Sequence, residues 1–169
     1  MGSIVVQLIQ DCSEDYDLVV LPVRIRGHCW TLDGSNSTFC SIIVWFVVQG
    51  GMPGAENLRD SEDLIALLKS QKAQSKPLAA ICASPAVVFE AHGLLDGPKA
   101  TSHPAFSDKL SNQDAVLERV VADGSMITSR GPGTAFEFAL ALVKMLYGDK
   151  KMHDVAKPMV MHNDWEASI

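Results

Sequence analysis

A cysteine set where an apolar run gives way to Ser-Pro is the feature of this chain most able to do chemistry. In Leu78-Ala79-Ala80-Ile81-Cys82-Ala83-Ser84-Pro85 the residues up to the cysteine have the pattern of a strand buried on both faces. Ser84-Pro85 then supplies an N-cap and a first-turn proline for a helix that should stop near Gly93. A thiol at such a junction sits on a sharp turn facing the positive end of the helix, where unpaired N–H groups and the dipole favour thiolate. The competing reading is a buried, inert cysteine. Three other short motifs carry groups that could serve such a thiol: Gly50-Gly51, His103-Pro104 and Arg130-Gly131-Pro132-Gly133. Each also has a plainer reading, as turn glycines, a surface histidine and an arginine capping strand-end carbonyls. His92 reads simply as a residue near the end of its helix.

The elements that would position these groups alternate along the chain. Residues 4–9 could be a strand or a strand end, and Leu18-Val19-Val20-Leu21-Pro22 is a clear buried-strand signal. Residues 39–48 could also be a strand, but they show no obvious partner. After Gly50-Gly51-Met52-Pro53-Gly54, leucines and an isoleucine recur at helical spacing from Leu58 to Leu68, and the helix should end in the polar stretch 71–76. Residues 98–102 read as a short strand ending at His103-Pro104. Asp123-Gly124 marks a hairpin, and Thr134-Ala135-Phe136-Glu137 is a capping box opening a helix that Gly148 ends. Residues 152–156 form a last short helix, and the remainder looks loose. Alternation without internal repeats points to an α/β sandwich with a largely parallel sheet.

Composition narrows the function. At 169 residues the chain suits one domain with a real core, and 47% hydrophobic with 20% charged residues is ordinary for a globular protein. A net charge of −6 gives no reason to expect nucleic-acid or anionic-membrane binding. Cys12, Cys29, Cys40 and Cys82 lack CxxC or Cys/His ligand spacing, so no metal site is expected. No secretory leader is legible and no apolar run is long enough to span a bilayer, so a reducing, cytoplasmic setting is expected, with the nucleus also open.

Taken together, Asp17-Leu18-Val19-Val20-Leu21-Pro22, Gly50-Gly51-Met52-Pro53-Gly54-Ala55-Glu56-Asn57-Leu58, Ala80-Ile81-Cys82-Ala83-Ser84-Pro85-Ala86, Ser102-His103-Pro104 and Thr128-Ser129-Arg130-Gly131-Pro132-Gly133-Thr134 resemble the DJ-one/PfpI superfamily, most closely its plant members. The resemblance is loose over residues 4–22 and dense over 50–157. It implies a flavodoxin-like three-layer sandwich with a mostly parallel sheet, as a single domain that is usually a homodimer. It makes Cys82 the nucleophile and oxidant sensor, with His103 close by. Backbone N–H groups of Gly51 and Ala83 would form an oxyanion site, and Gly50, Ser84, Arg130 and Pro132 would border the pocket. The implied activity needs no cofactor: a glutathione-independent glyoxalase or deglycase acting on small dicarbonyls such as methylglyoxal. The alternative is an oxidative-stress sensor or chaperone-like binding protein that uses the same thiol without turnover.

Two departures from that pattern lower the activity expected of this chain. The family's first strand and the glutamate on its turn have no counterpart here, so the sheet should lack its first strand or strands. On this reading the true N-terminus lies upstream of Met1, which leaves organellar targeting open. Residues 23–49 have no place in the motif series either, since joining Pro22 to Gly50 restores Leu-Pro-Gly-Gly-Met-Pro-Gly without a gap. Val23-Arg24 can be encoded as a splice donor and Gln49 as an acceptor, so the segment reads as a translated intron that should pack poorly, the alternative being a genuine loop. The expected observation is a major transcript that lacks the codons for 23–49. A dominant cDNA that retains them, with a stop codon shortly before Met1, would sink this account.

Overall fold

A computed structural model describes residues 46–169. The sequence readings at 4–22 and over 23–45 lie outside the described residues. Within them, β1 (Phe46–Val48), β2 (Leu78–Ile81), β3 (Val120–Asp123) and β4 (Met126–Ser129) form one sheet in the order β1-β2-β4-β3. β1 runs parallel to β2 and β2 parallel to β4, whereas β3 and β4 are an antiparallel hairpin. The Asp123-Gly124 signal holds: Asp123 pairs with Met126 across the turn, and Gly124 takes φ 60°, where a Cβ would be strained.

Side-chain alternation along the strands makes the sheet the middle of three layers. Phe46, Val48, Leu78, Ala80 and Met126 point to one face, where they pack on Leu58, Leu64, Ile65, Leu68 and Phe89. Ala79 and Ile127 point to the other, against Phe138, Ala141 and Leu142. The first face is covered by α1 (Gly54–Asp60), α2 (Glu62–Ala73) and the turns that follow β2. The second is covered by α3 (Ala135–Tyr147), which α4 (Asp149–Ala156) follows. This is the expected α/β sandwich with a largely parallel sheet.

Several local expectations are corrected. Residues 46–48, placed in a poorly packing insert from the sequence, are β1 itself, with Val48 only 1% exposed. Their partner is β2, 32 residues on in register (Val48 opposite Ala80 at one end, Phe46 opposite Leu78 at the other), a contact no local pattern could reveal. The helix expected across 58–68 is two helices. Ser61 stands in extended backbone between them, and its Oγ accepts the Leu64 N–H to start α2. Leu67 falls on the outer side of that second helix and is 51% exposed. Residues 98–102 are not a strand, because the Thr101 N–H donates to Thr128 Oγ1 at 2.9 Å instead of to a neighbouring backbone. The last residues are not loose: Trp165 packs with Leu140, Val143, Met152 and Ala156.

Candidate functional site

The backbone turns sharply at the end of β2. Cys82 has φ 66°, a left-handed conformation that L residues avoid, and it is half-buried. Two backbone hydrogen bonds over-determine that turn. The Cys82 N–H donates to the Ser129 carbonyl at 3.0 Å, and the Cys82 carbonyl accepts from the His103 N–H at 2.8 Å. Strained backbone held in this way by its surroundings is concentrated at functional sites.

The residue facing the turn is Gly50, and the reason is space. A Cβ there would lie 2.5 Å from Cys82 Cβ and 2.7 Å from both Ala83 N and Ile81 O, two of them backbone atoms that cannot move aside. Gly51 is exposed with φ 99°, and its carbonyl accepts the Ala55 N–H at 2.8 Å, which leads the chain into α1. Ala83 is buried with Ala55 and Val87. The helix after Cys82 differs from the regular one expected. It is a π-helical turn over Pro85–Phe89 followed by a 3-10 turn over Glu90–His92, which Gly93 closes at φ 67°. Ser84 does not cap it. Its buried hydroxyl donates to the Gln49 carbonyl, tying the post-cysteine turn to the segment that carries Gly50.

His103 is half-buried on the next loop. Its Nδ1 accepts the Ala105 N–H at 3.2 Å, so the neutral ring carries its proton on Nε2. Gly131 lies against this ring, where an added Cβ would be 3.6 Å from His103 Cδ2. Arg130 is half-buried, with Nη1 donating to the Leu117 carbonyl at 3.3 Å and a buried Nε that has no partner among the described residues. Pro132 is exposed and opens the short turn Pro132–Thr134. Backbone bonds and packing therefore bring Cys82, Gly50, Ala83, Ser84, His103 and the Gly131 loop together. His92 stands apart, its Nε2 2.9 Å from the Arg59 carbonyl.

What the sequence missed is the polar scaffold behind this loop. Thr134 was expected to cap α3 with Glu137 in a capping box, but it makes no cap bond to that helix. Its hydroxyl meets Ser129 Oγ at 2.6 Å and accepts the Gly131 N–H at 3.1 Å. Glu137 instead turns to Arg119, accepting from Nε at 2.9 Å. Burial pushes the Glu137 carboxyl up, but its backbone hydrogen bond, Arg119 and His162 together outweigh that and hold it below the ordinary carboxylate range. A capping-box pattern is the one sequence signal at Glu137, and it points to the wrong partner. Among the described residues no group of His, Cys, Asp and Glu could hold a metal ion, and no helix is long and apolar enough to cross a membrane.

An open, mostly parallel sheet between helical layers, with a cysteine on a left-handed turn after a central strand, defines a flavodoxin-like α/β domain built around a thiol. The DJ-1/PfpI family model matches residues 38–145, and the chain belongs to that family. It is 53% identical over 111 residues to Protein DJ-1 homolog B of Arabidopsis thaliana, an alignment covering 66% of this chain and 25% of that protein. It is 37% identical over 131 residues to Glutathione-independent glyoxalase DJR-1.2 of Caenorhabditis elegans, covering 76% of this chain and 67% of the relative. The solved structure of oxidized Toxoplasma gondii DJ-1 superposes with a TM-score of 0.62 at 49% identity, over 66% of this chain and 60% of that one. The chain thus spans about a quarter of the plant relative's length.

Two outcomes are expected. Gly50→Ala should displace the Cys82 turn and destabilise the domain by about 1–3 kcal/mol, the usual cost of overpacking, while cutting the rate at which iodoacetamide alkylates Cys82. A wild-type alkylation rate in that variant would mean that the close approach does not shape the thiol. Because the Glu137 carboxyl is depressed, the stability it contributes is fully present above the ordinary carboxylate range and is lost as pH falls through the depressed value. Glu137→Gln should lower stability near neutral pH by about 1–3 kcal/mol and flatten the acid side of the stability profile. Urea unfolding of both proteins at several pH values reads each effect.

Proposed function

We propose that the Cys82 site carries out glutathione-independent glyoxalase chemistry, with deglycase-like action on early adducts of the same dicarbonyls. The observation that carries this reading is the left-handed turn that presents the Cys82 thiol against the glycine-only approach of Gly50. The C. elegans relative that bears the glyoxalase name supports it.

In the reaction the thiolate attacks the aldehyde carbon of a compound such as methylglyoxal, and the carbonyl electron pair moves onto oxygen. Protonation of that oxygen gives a hemithioacetal. A base removes the proton from the sulfur-bearing carbon, and reprotonation at the adjacent carbon leaves a 2-hydroxy thioester, which water cleaves to the 2-hydroxy acid and the free thiol. Backbone N–H groups of Gly51 and Ala83 serve the developing oxyanion, and Gly50, Ser84, Arg130 and Pro132 shape the pocket. With Nδ1 occupied by the Ala105 N–H, His103 enters this scheme through Nε2. No cofactor takes part. The partner is a small dicarbonyl, and the intact protein acts as a homodimer in the cytoplasm.

A second reading draws on the half-exposed thiol and the oxidized state of the Toxoplasma structure: Cys82 senses oxidant without turnover. One experiment separates the two. Lactate formation from methylglyoxal, measured on this chain and on Cys82→Ser, should be slow in the first and absent in the second. Turnover that survives the substitution removes Cys82 from its role. A gain of about 32 Da on Cys82 after mild peroxide, with no lactate at all, favours the sensor.

A further inference from the structure

We propose that His162 is a positioning residue for the Cys82 site, acting on it through Glu137 and Arg119. The proposal rests on Cys82 being the reactive group of the site described above.

Glu137 sits in α3 at 3% exposure, and a single carboxylate oxygen, Oε1, takes three donors. They are Arg119 Nε at 2.9 Å, Arg119 Nη2 at 2.5 Å and His162 Nε2 at 3.1 Å. An ionised carboxylate only accepts, so His162 must carry a hydrogen on Nε2. The charged groups that face its ring are Glu137 from α3 and the Arg119 guanidinium on the same oxygen. Neutral and protonated rings both donate from Nε2, so the role calls for an N–H and not for a charge.

Arg119 carries the link onward. Its Nη2 also donates to the Gly133 carbonyl at 2.6 Å, and its own carbonyl accepts Ser129 Oγ at 2.8 Å. The Ser129 carbonyl in turn accepts the Cys82 N–H at 3.0 Å. From the His162 ring to the Cys82 backbone the side-chain and backbone links are all hydrogen bonds, and the loop they brace includes Gly131, against His103. Arg119 is 44% exposed at its side chain, so its rotamer depends on how firmly the Glu137 end is held.

His162 itself is placed by the packing of its neighbours in a cluster that does not include Cys82. Val160 adopts a left-handed turn at φ 53°, and Met161 and Trp165 lie in the cluster around Leu140, Val143 and Met152. Docking of the segment 157–169 on α3 is thereby coupled to the geometry of the 129–134 loop.

The test uses residues 1–169 as wild type, His162→Ala and His162→Gln. It reads deuterium exchange of the amides in 129–134 and in β2, together with the rate of Cys82 alkylation by iodoacetamide. His162→Ala should raise exchange in 129–134 about fivefold, the weight of roughly one net hydrogen bond, and raise alkylation by a similar factor as the loop opens. Exchange in β2 should not change. His162→Gln, which keeps an N–H at similar reach, should restore both quantities. Unchanged exchange in 129–134 overturns the proposal, as does a glutamine variant that behaves like alanine. Loosening that extends into β2, or a looser loop with wild-type alkylation, overturns it too, because His162 would then support the fold without positioning the site. These readouts are independent of turnover, so an intact response alongside a failed methylglyoxal assay refutes the enzymatic reading alone.

Discussion

The site depends on one steric constraint: backbone must pass Cys82 closer than any side chain allows. Gly50 meets it by having no Cβ, and the cysteine accepts a left-handed φ in return. Such a conformation costs on the order of 1–2 kcal/mol for an L residue. It persists because Ser129 and His103 hold the peptide groups on either side of it. The cysteine turn is in this sense a product of three separate chain segments, none of which makes it alone.

Those segments are brought together by the sheet. β2 and β4 lie parallel with Ile81 opposite Ser129, so the two strands end at the same level and their following loops meet. Ligand sites of open parallel sheets form outside the carboxyl ends of the strands for this reason. β1 ends one pair earlier, with Val48 opposite Ala80, and so delivers Gly50 to the cysteine from the other side. Small residues in β2 make room for the close layers, since Ala79 and Ala80 are fully buried against opposite helical faces.

Behind the site the interactions are polar. Arg119, Glu137, His162, Ser129 and Thr134 satisfy one another around the 129–134 loop. Buried polar groups in such a network are costly when any partner is lost, which makes the network rigid and its geometry specific. The one buried side-chain nitrogen or oxygen without a partner among the described residues is Arg130 Nε, next in the chain to Ser129.

Much of this was legible in the sequence, for identifiable reasons. The strand before Cys82, the hairpin at Asp123-Gly124 and the helix ending at Gly148 rest on local chemistry: apolar runs, turn residues and helix stops. The cysteine itself stood out because a thiol between a strand and Ser-Pro is a local pattern. What the sequence misjudged was non-local. Residues 46–48 had no visible partner because the strand they pair with lies 32 residues on, Phe46 opposite Leu78, and such pairing leaves no local trace. Thr134 and Glu137 spell a capping box, yet a buried carboxylate gains more from a guanidinium than from its own helix end, and Arg119 reaches it across the fold. Local sequence determined where the chain turns and which residue carries the thiol. Tertiary structure decided which polar groups meet, because hydrogen-bond partners are selected by proximity in space and not along the chain.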